Sequence, residues 1–359
     1  MLKENPVLLR YKIGNIGSIT LVGTFAGIII GYLISVADSR EPIAYILRAL
    51  VIGTFTGLSI AVFEELLFHT IFRKKPYLFL LTLRTSLYTI IIAFWLMLVN
   101  AISFTITDKL SFTNAINFYI NLGTFNRDIV VVILGTFILI SLIQARSLLR
   151  KGEITKFILG IYHRPREVKK IFLFLDIKSS TTIAEKLGHL KYSEFLIDFF
   201  YDLSNSILMA KAEIYQYVGD EIILSWPFEK GLQDAQCINC FFDIKFSIES
   251  HKEKYLESYG FYPEFKAGLH GGKVVVTWIG DIKKEIVYHG DVLNIASRLE
   301  SECNKYNQYF LISEDILKQI ILPAHIEANY INDLLLKGKE EQIKVYGLDI
   351  IKKPVLKPA

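Results

Sequence analysis

The sequence predicts a chain in two parts: four membrane-spanning helices, then an α/β sandwich of ferredoxin-like type with helices packed on a mixed sheet. Three observations carry that expectation. The 359 residues are 52% hydrophobic with a mean hydropathy of +0.37, yet 21% are charged. That is too apolar for one ordinary soluble domain and too charged for membrane spans alone. The basic excess behind the net charge of +4 lies in the first 160 residues, and the remainder is mildly acidic. Beyond residue 170, short apolar runs alternate with helical spacing, the pattern of strands and helices that follow one another.

The spans come first. Residues 13–37 and 85–107 run without a charge, and each is long enough to cross ~30 Å of hydrocarbon at ~1.5 Å per residue. Residues 43–63 carry Arg48 and meet Glu64 and Glu65, and 129–145 is apolar but short, so these two rest on topology. Lys3, Arg10 and Lys12 precede the first span, Arg73, Lys74 and Lys75 follow the second, and Arg146, Arg150 and Lys151 follow the fourth. The other loops carry only Arg40, Lys109 and Arg127. This bias places both termini inside, as in an integral protein of the plasma (inner) membrane with lipid as a partner. The first span exceeds a signal-peptide core and no clear small-residue cleavage site follows it, so it is expected to stay uncleaved. Glu65 and His69 share a helix face, with Glu64 beside them and Arg84 opening the third span. A buried, ligand-sensing ion pair and an ordinary interfacial charge both fit, the second more readily.

The region 1–146 thus holds the helices, and 147–170 is a helix-compatible connector that ends near Pro165. Residues 171–350 form the soluble domain, and 351–359, with two prolines, form a mobile tail. Within the domain, 171–175 reads as a buried strand ending in Asp176, 179–187 and 192–209 as helices, and 212–226 as two strands folded near Gly219-Asp220. Residues 232–255 read as one long helix, 265–279 as strand, 291–303 as helix and 342–348 as a last alternating strand.

Chemistry concentrates at three places. Asp176 closes a strand and Asp220 turns a hairpin, so neighbouring strands would bring two carboxylates to one sheet edge. Paired hard oxygens suit Mg²⁺ or Mn²⁺, with substrate phosphates completing the shell, and a nucleoside triphosphate is the natural ligand. The run Lys178-Ser179-Ser180-Thr181-Thr182 puts backbone N–H groups at a helix start, where phosphate binds. Each piece alone is more often an ordinary turn or cap. Asn294 and Arg298 share a helix face four residues apart, so an amide for a sugar oxygen and a guanidinium for a phosphate act together. An exposed polar face capped by Asp291 fits those residues about as well.

With these pieces in order, residues 172–348 resemble the catalytic domain of class III nucleotidyl cyclases. The motifs are Phe174-Leu175-Asp176-Ile177 with Ser179-Ser180-Thr181, Tyr217-Val218-Gly219-Asp220-Glu221, the Asn294–Arg298 helix, and Leu336-Lys337-Gly338-Lys339. The resemblance implies an enzyme that turns a purine nucleoside triphosphate, ATP by default, into a 3′,5′-cyclic nucleotide and pyrophosphate for intracellular signalling, and a head-to-tail homodimer with shared sites. The spans and their flanking cations add the expectation that it is membrane-bound, with the catalytic domain in the cytoplasm. Two Mg²⁺ or Mn²⁺ ions per site would be held by Asp176, Asp220 and the backbone carbonyl of Ile177. Asn294 would orient the ribose and Arg298 stabilise the transition state. Ser179, Ser180 and Thr181 would bind phosphate, and Lys337 or Lys339, with Lys339 preferred, the outer phosphates. The base-recognition positions hold Gln216 and Val287, which match neither the adenylyl nor the guanylyl pattern. Gln216 can donate or accept, and Val287 offers no polar group.

Several alternatives are weaker. A diguanylate cyclase shares a Gly-Asp-Glu hairpin but not the Asn294/Arg298 helix. A degenerate nucleotide-binding sensor would not need every role filled. A channel would need more polar residues within its spans. Nucleic acid is disfavoured because the cations flank apolar segments. Cys237-Ile238-Asn239-Cys240 has no second pair or nearby histidine and reads as helix packing, and Cys303 as a free thiol. His189, His270 and His289 read as structural, and Trp226 and Trp278 as core or dimer contacts.

Overall fold

A computed structural model describes residues 6–37, 42–65, 77–121, 125, 128–130, 133–134, 137, 164–281, 285–335 and 342–351. The chain divides into two compact units, Met1–Leu149 and Arg150–Ala359.

The first unit holds α1 (Pro6–Ala37), α2 (Pro42–Phe63), α3 (Tyr77–Thr107) and α4 (Phe112–Asn121). The first three are long and apolar enough to cross a membrane. Pro6 and Pro42 each open a helix, where a missing N–H leaves no intrahelical bond unmade. Small residues let α1 and α2 meet backbone to backbone: a Cβ on Gly23 would lie 2.6 Å from the carbonyl oxygen of Gly53. Gly27 and Gly31 approach α2 as tightly, and the hydroxyls of Thr24 and Thr54 lie 2.9 Å apart across the seam. α3 meets α2 through polar groups instead. Arg84 Nε lies 3.1 Å from Glu64 Oε1, the Tyr88 hydroxyl donates to the same carboxylate, and the Trp95 indole donates to Ser59 Oγ at 3.1 Å.

One expectation changes here, and another falls largely outside the described residues. Three helices of spanning length are described rather than four: 129–145 lies almost wholly outside the described residues, and α4 is only ten residues long. Arg84 lies inside α3 rather than opening it, because Glu64 and Tyr88 give its surroundings a carboxylate partner. His69 lies outside the described residues, and Glu65 is 3.9 Å from Lys12.

The second unit runs β1 (Arg166–Ile177), α5 (Ser180–Leu187), α6 (His189–Met209), β2 (Glu213–Val218), β3 (Glu221–Pro227) and α7 (Phe228–Leu232). It continues through α8 (Gln236–Ser250), α9 (Lys252–Tyr259), β4 (Phe265–Ile279), β5 (Glu285–His289) and α10 (Asp291–Glu302). It ends with β6 (Phe310–Ser313), α11 (Glu314–Leu317), β7 (Ile326–Leu335) and β8 (Gln342–Ile350). The sheet order is β2-β3-β1-β4-β6-β8-β7, with β5 added to β4. The first four strands and their helices make the ferredoxin-like βαββαβ unit, and the parallel β4–β6 pair makes the sheet mixed.

Strand β1 is central, and Ile171, Leu173 and Leu175 bury one of its faces against Phe195, Phe199 and Leu203 of α6 and Phe241 of α8. Its other face presents Phe172 and Phe174 to Val292 and Ala296 of α10. Gly268 permits that packing: a Cβ there would come within 3.0 Å of Glu300 N and Ala296 O.

Further corrections concern boundaries. β1 begins at Arg166, so the end of the expected connector belongs to the sheet, and the rest of it to residue 163 lies outside the described residues. The expected helix over 232–255 is broken where Asp234 and Ala235 take positive φ of 52° and 50°, and again at His251. α7, β5, β6, α11 and β7 had no counterpart in the expected elements. The tail from 352 lies outside the described residues.

Candidate active site

The site forms where β1 ends. The register Leu175↔Ile222 against β3 and Asp176↔Lys266 against β4 places Glu221, Asp176 and Lys266 side by side on three neighbouring strands. Val218↔Glu221 leaves a two-residue loop, Gly219-Asp220, in which Gly219 alone takes a positive φ, 64°. That is the form of a type II′ hairpin, whose first loop position calls for glycine. It sets Asp220 next to Asp176. Glu300 reaches the same cluster from α10, with its carboxylate 2.6 Å from Lys266 Nζ.

Four carboxylates around one ammonium group crowd negative charge. Burial, and then the neighbouring Asp220 carboxylate, push the Asp176 carboxyl up to about 7. Burial and then Glu300 push Glu221 up to about 7 as well. Lys266, 3.6 Å from Asp176 Oδ2, opposes both shifts. Oδ2 of Asp220 is buried with no hydrogen-bond partner among the described residues. An orphaned carboxylate oxygen beside a second carboxylate is a donor set for a hard divalent cation. Among the described residues no three His, Cys, Asp or Glu groups converge as a protein-only metal cage. Two carboxylates with substrate phosphates remain the arrangement that Asp176 and Asp220 offer. Ile177 is buried as the last residue of β1, directly after Asp176.

The loop after β1 is set by its backbone. Ser179 takes φ 58° before α5 and makes no side-chain cap, contrary to an ordinary Ser/Thr cap. Ser179 and Thr181 are exposed and Ser180 half-buried, at a first turn whose N–H groups no side chain caps. Lys178 faces away from a phosphate role: its N–H donates to Glu264 O at 2.9 Å and its ammonium sits 3.7 Å from the centre of the Tyr309 ring.

Asn294 and Arg298 lie on the exposed face of α10, opposite buried Val292, Ile295, Ala296 and Leu299. Arg298 pairs with Glu302 of its own helix at 2.7 Å. Gly290, not Asp291, occupies the cap position, because the strand-to-helix turn requires its φ of 141°. The subunit therefore brings Asp176 and Asp220 together but gives Asn294 and Arg298 to its outer surface. Gln216 is exposed on edge strand β2 at a bulge, and Val287 is half-buried on β5. The neighbouring rings of Tyr215 and Tyr288, 5.2 Å apart, bring those two strands together. Lys337 and Lys339 lie outside the described residues.

Lys266, Glu221 and Glu300 are the site residues that sequence reasoning passed over. The signal for Glu221 was its place beside Asp220; Lys266 and Glu300 become visible only through strand register and helix packing. Cys237, Cys240 and Cys303 are free and buried, His270 Nδ1 is bonded to Ser313 Oγ at 2.7 Å, and Trp226 is fully buried.

Fold and site together define a ferredoxin-like catalytic domain with an acidic centre at the end of its first strand. The family model for the adenylate and guanylate cyclase catalytic domain matches residues 165–349, and the chain belongs to that family. Adenylate cyclase 2 of Rhizobium meliloti (strain 1021) is 34% identical over 210 residues, 58% of this chain and 58% of that protein. An adenylate cyclase of Anabaena cylindrica is 27% identical over 187 residues, 48% of this chain and 35% of that one. The chain thus spans less than two thirds of the length of either relative. A bacterial light-regulated adenylyl cyclase has the same fold, with a TM-score of 0.52 at 19% identity over 60% of this chain and 63% of the other.

Proposed function

We propose that the chain is a membrane-anchored nucleotidyl cyclase that converts a purine nucleoside triphosphate, ATP by default, to a 3′,5′-cyclic nucleotide and pyrophosphate for intracellular signalling. The observation that carries this is the Asp176–Asp220 pair, with Asp220 Oδ2 buried and unbonded beside a second carboxylate. Asp176 and Asp220, with the Ile177 carbonyl, would hold two Mg²⁺ or Mn²⁺ ions. Such ions supply Lewis-acid polarisation of the α-phosphate and lower the pKa of the ribose 3′-hydroxyl. Ser179, Ser180 and Thr181 present first-turn N–H groups to the phosphates, and Lys339, or else Lys337, takes the outer ones. The 3′-oxygen forms a bond to the α-phosphorus, the bond to the β-phosphate oxygen breaks, and the hydroxyl proton leaves to solvent. Asn294 orients the ribose, and Arg298 meets the charge that develops on the phosphoryl oxygens.

Exposure of Asn294 and Arg298 on the outer face of α10 supports a homodimer in which each helix α10 completes the partner's site. Gln216 and Val287 flank the purine, and the amide of Gln216 serves adenine or guanine. The three long apolar helices support an integral inner-membrane protein surrounded by lipid, with the catalytic domain in the cytoplasm.

The test is product formation by the full-length protein in membranes, given ATP or GTP with Mg²⁺ or Mn²⁺, beside Asp220→Ala. Cyclic AMP or cyclic GMP that disappears in the variant establishes the cyclase and its base. No cyclic product under any combination overturns it in favour of a nucleotide-binding sensor without turnover.

A further inference from the structure

Lys266 is a buried cation between two claims. Its side chain is 10% exposed and that of Glu300 8%, and the two lie 2.6 Å apart, while Asp176 Oδ2 is 3.6 Å from the same ammonium group. A buried ion pair is a poor source of stability, since desolvating both charges offsets most of their attraction and an apolar pair of similar volume serves as well. Placement is what it does provide. The backbone that carries Glu300 is seated against Gly268 of β4, so closely that a Cβ there would collide with its nitrogen. An ammonium group anchored to that carboxylate is held at one point. At 3.6 Å it attracts Asp176 without the short contact that would occupy the oxygen.

We propose that Lys266, fixed by Glu300, is a positioning residue that orients Asp176 for the divalent cation and keeps its oxygen available, an inference that rests on the metal-binding reading above. Two substitutions then act in opposite directions. In Lys266→Gln the cluster loses its only cation among the described residues, so a divalent ion binds more tightly, by roughly tenfold, the effect of one partly screened unit charge nearby. Asp176 is at the same time less well oriented, so kcat falls while the half-saturating metal concentration also falls. In Glu300→Gln the lysine loses its anchor, turns to Asp176 and competes with the ion, so metal binding weakens by a similar factor. Lys266→Arg keeps the charge and restores most of kcat.

Mn²⁺ binding to the full-length protein in detergent, read from loss of the free-ion electron paramagnetic resonance signal, measures this without turnover. Wild type, Asp220→Ala, Lys266→Gln, Lys266→Arg and Glu300→Gln are compared, each with its kcat and its metal half-saturation. Opposite shifts for Lys266→Gln and Glu300→Gln, with rescue by arginine, are the expected result. If wild type binds Mn²⁺ and Asp220→Ala does not, but kcat of Lys266→Gln stays at the wild-type level or the two variants shift together or not at all, Lys266 is only a structural ion-pair partner and the proposal falls alone. If wild type binds no Mn²⁺, the metal-binding reading falls and takes this one with it.

Discussion

The two units of the chain turn their side chains in opposite directions. In the catalytic unit the large apolar groups are inside: Phe172, Leu173, Leu175 and Phe195 are fully buried. In the helical unit Val22, Phe25 and Ile43 are 67%, 63% and 66% exposed, and the contacts between helices fall on Gly23, Gly27 and Gly53. Where water is the solvent, burying large side chains drives association. Where the surroundings are themselves apolar, close backbone approach and matched polar groups do so instead. Both units nevertheless use one device, a glycine that lets a backbone touch another element, at Gly27 between helices and at Gly268 between α10 and the sheet. In the first it joins two helices; in the second it sets the distance between a helix and the sheet that carries the acidic cluster.

The second unit also carries the acidic centre, and Asp176→Asn tests it with the largest effect. On the proposed metal-binding role, losing one of the two carboxylates is expected to lower kcat by about a thousandfold, the several kcal/mol that metal-held charge contributes. Melting of the metal-free catalytic unit should not fall, since asparagine, like the protonated acid, adds no charge to the crowded carboxylates. Unchanged product formation would remove the acidic centre from the chemistry.

Gly268→Ala comes next. Its Cβ meets backbone atoms of α10, which cannot swing away as a side chain tip can. A loss of about 3 kcal/mol is expected, read as a lower midpoint in urea unfolding followed by near-ultraviolet circular dichroism. Gly27→Ala meets the carbonyl of Ala49 in the same way, and a loss of about 2 kcal/mol is expected in the helical unit alone. If Gly27→Ala instead lowered the catalytic unit's midpoint, the two units would not be energetically separate.

The smallest effect is on pH. Asp176 and Glu221 keep their protons up to about 7 in the folded protein, against ordinary values of 3.8 and 4.5. Between those limits the folded state binds more protons than the unfolded one, so metal-free stability falls as pH rises from about 4 to about 7. Chelator-treated protein should melt a few degrees lower at pH 8 than at pH 5.5, and added Mn²⁺ should remove most of that difference. A melting point that rises over this range would contradict the crowding of the four carboxylates.

Much of this was legible in the chain. The strand expected over 265–279 matches β4 residue for residue, and the Gly219-Asp220 turn follows from the chemistry of a two-residue hairpin. The breaks at Asp234, Ala235 and His251 were hidden because the apolar residues of 232–255 keep helical spacing through them, and no Gly or Pro marks the kink. β6 has four residues, all buried, and periodicity cannot separate so short a run from a loop. The long third helix was cut short at Arg84 because a charge ordinarily ends an apolar run, and Glu64, which accommodates it, belongs to another helix. Lys266 could not be found from spacing, since only the register of β1 on β4 brings it to Asp176.

That register also governs when the site comes into being. Asp176 and its cross-strand neighbour Lys266 are about ninety residues apart along the chain, and pairing so remote in sequence makes for slow folding. The hairpin that carries Asp220 closes locally, on a timescale of about microseconds. During synthesis the two aspartates are therefore in place in sequence long before β4 arrives to flank β1. The acidic centre assembles late, with the closing of the sheet, and a chain cut short before β4 would carry both aspartates without the lysine that faces them.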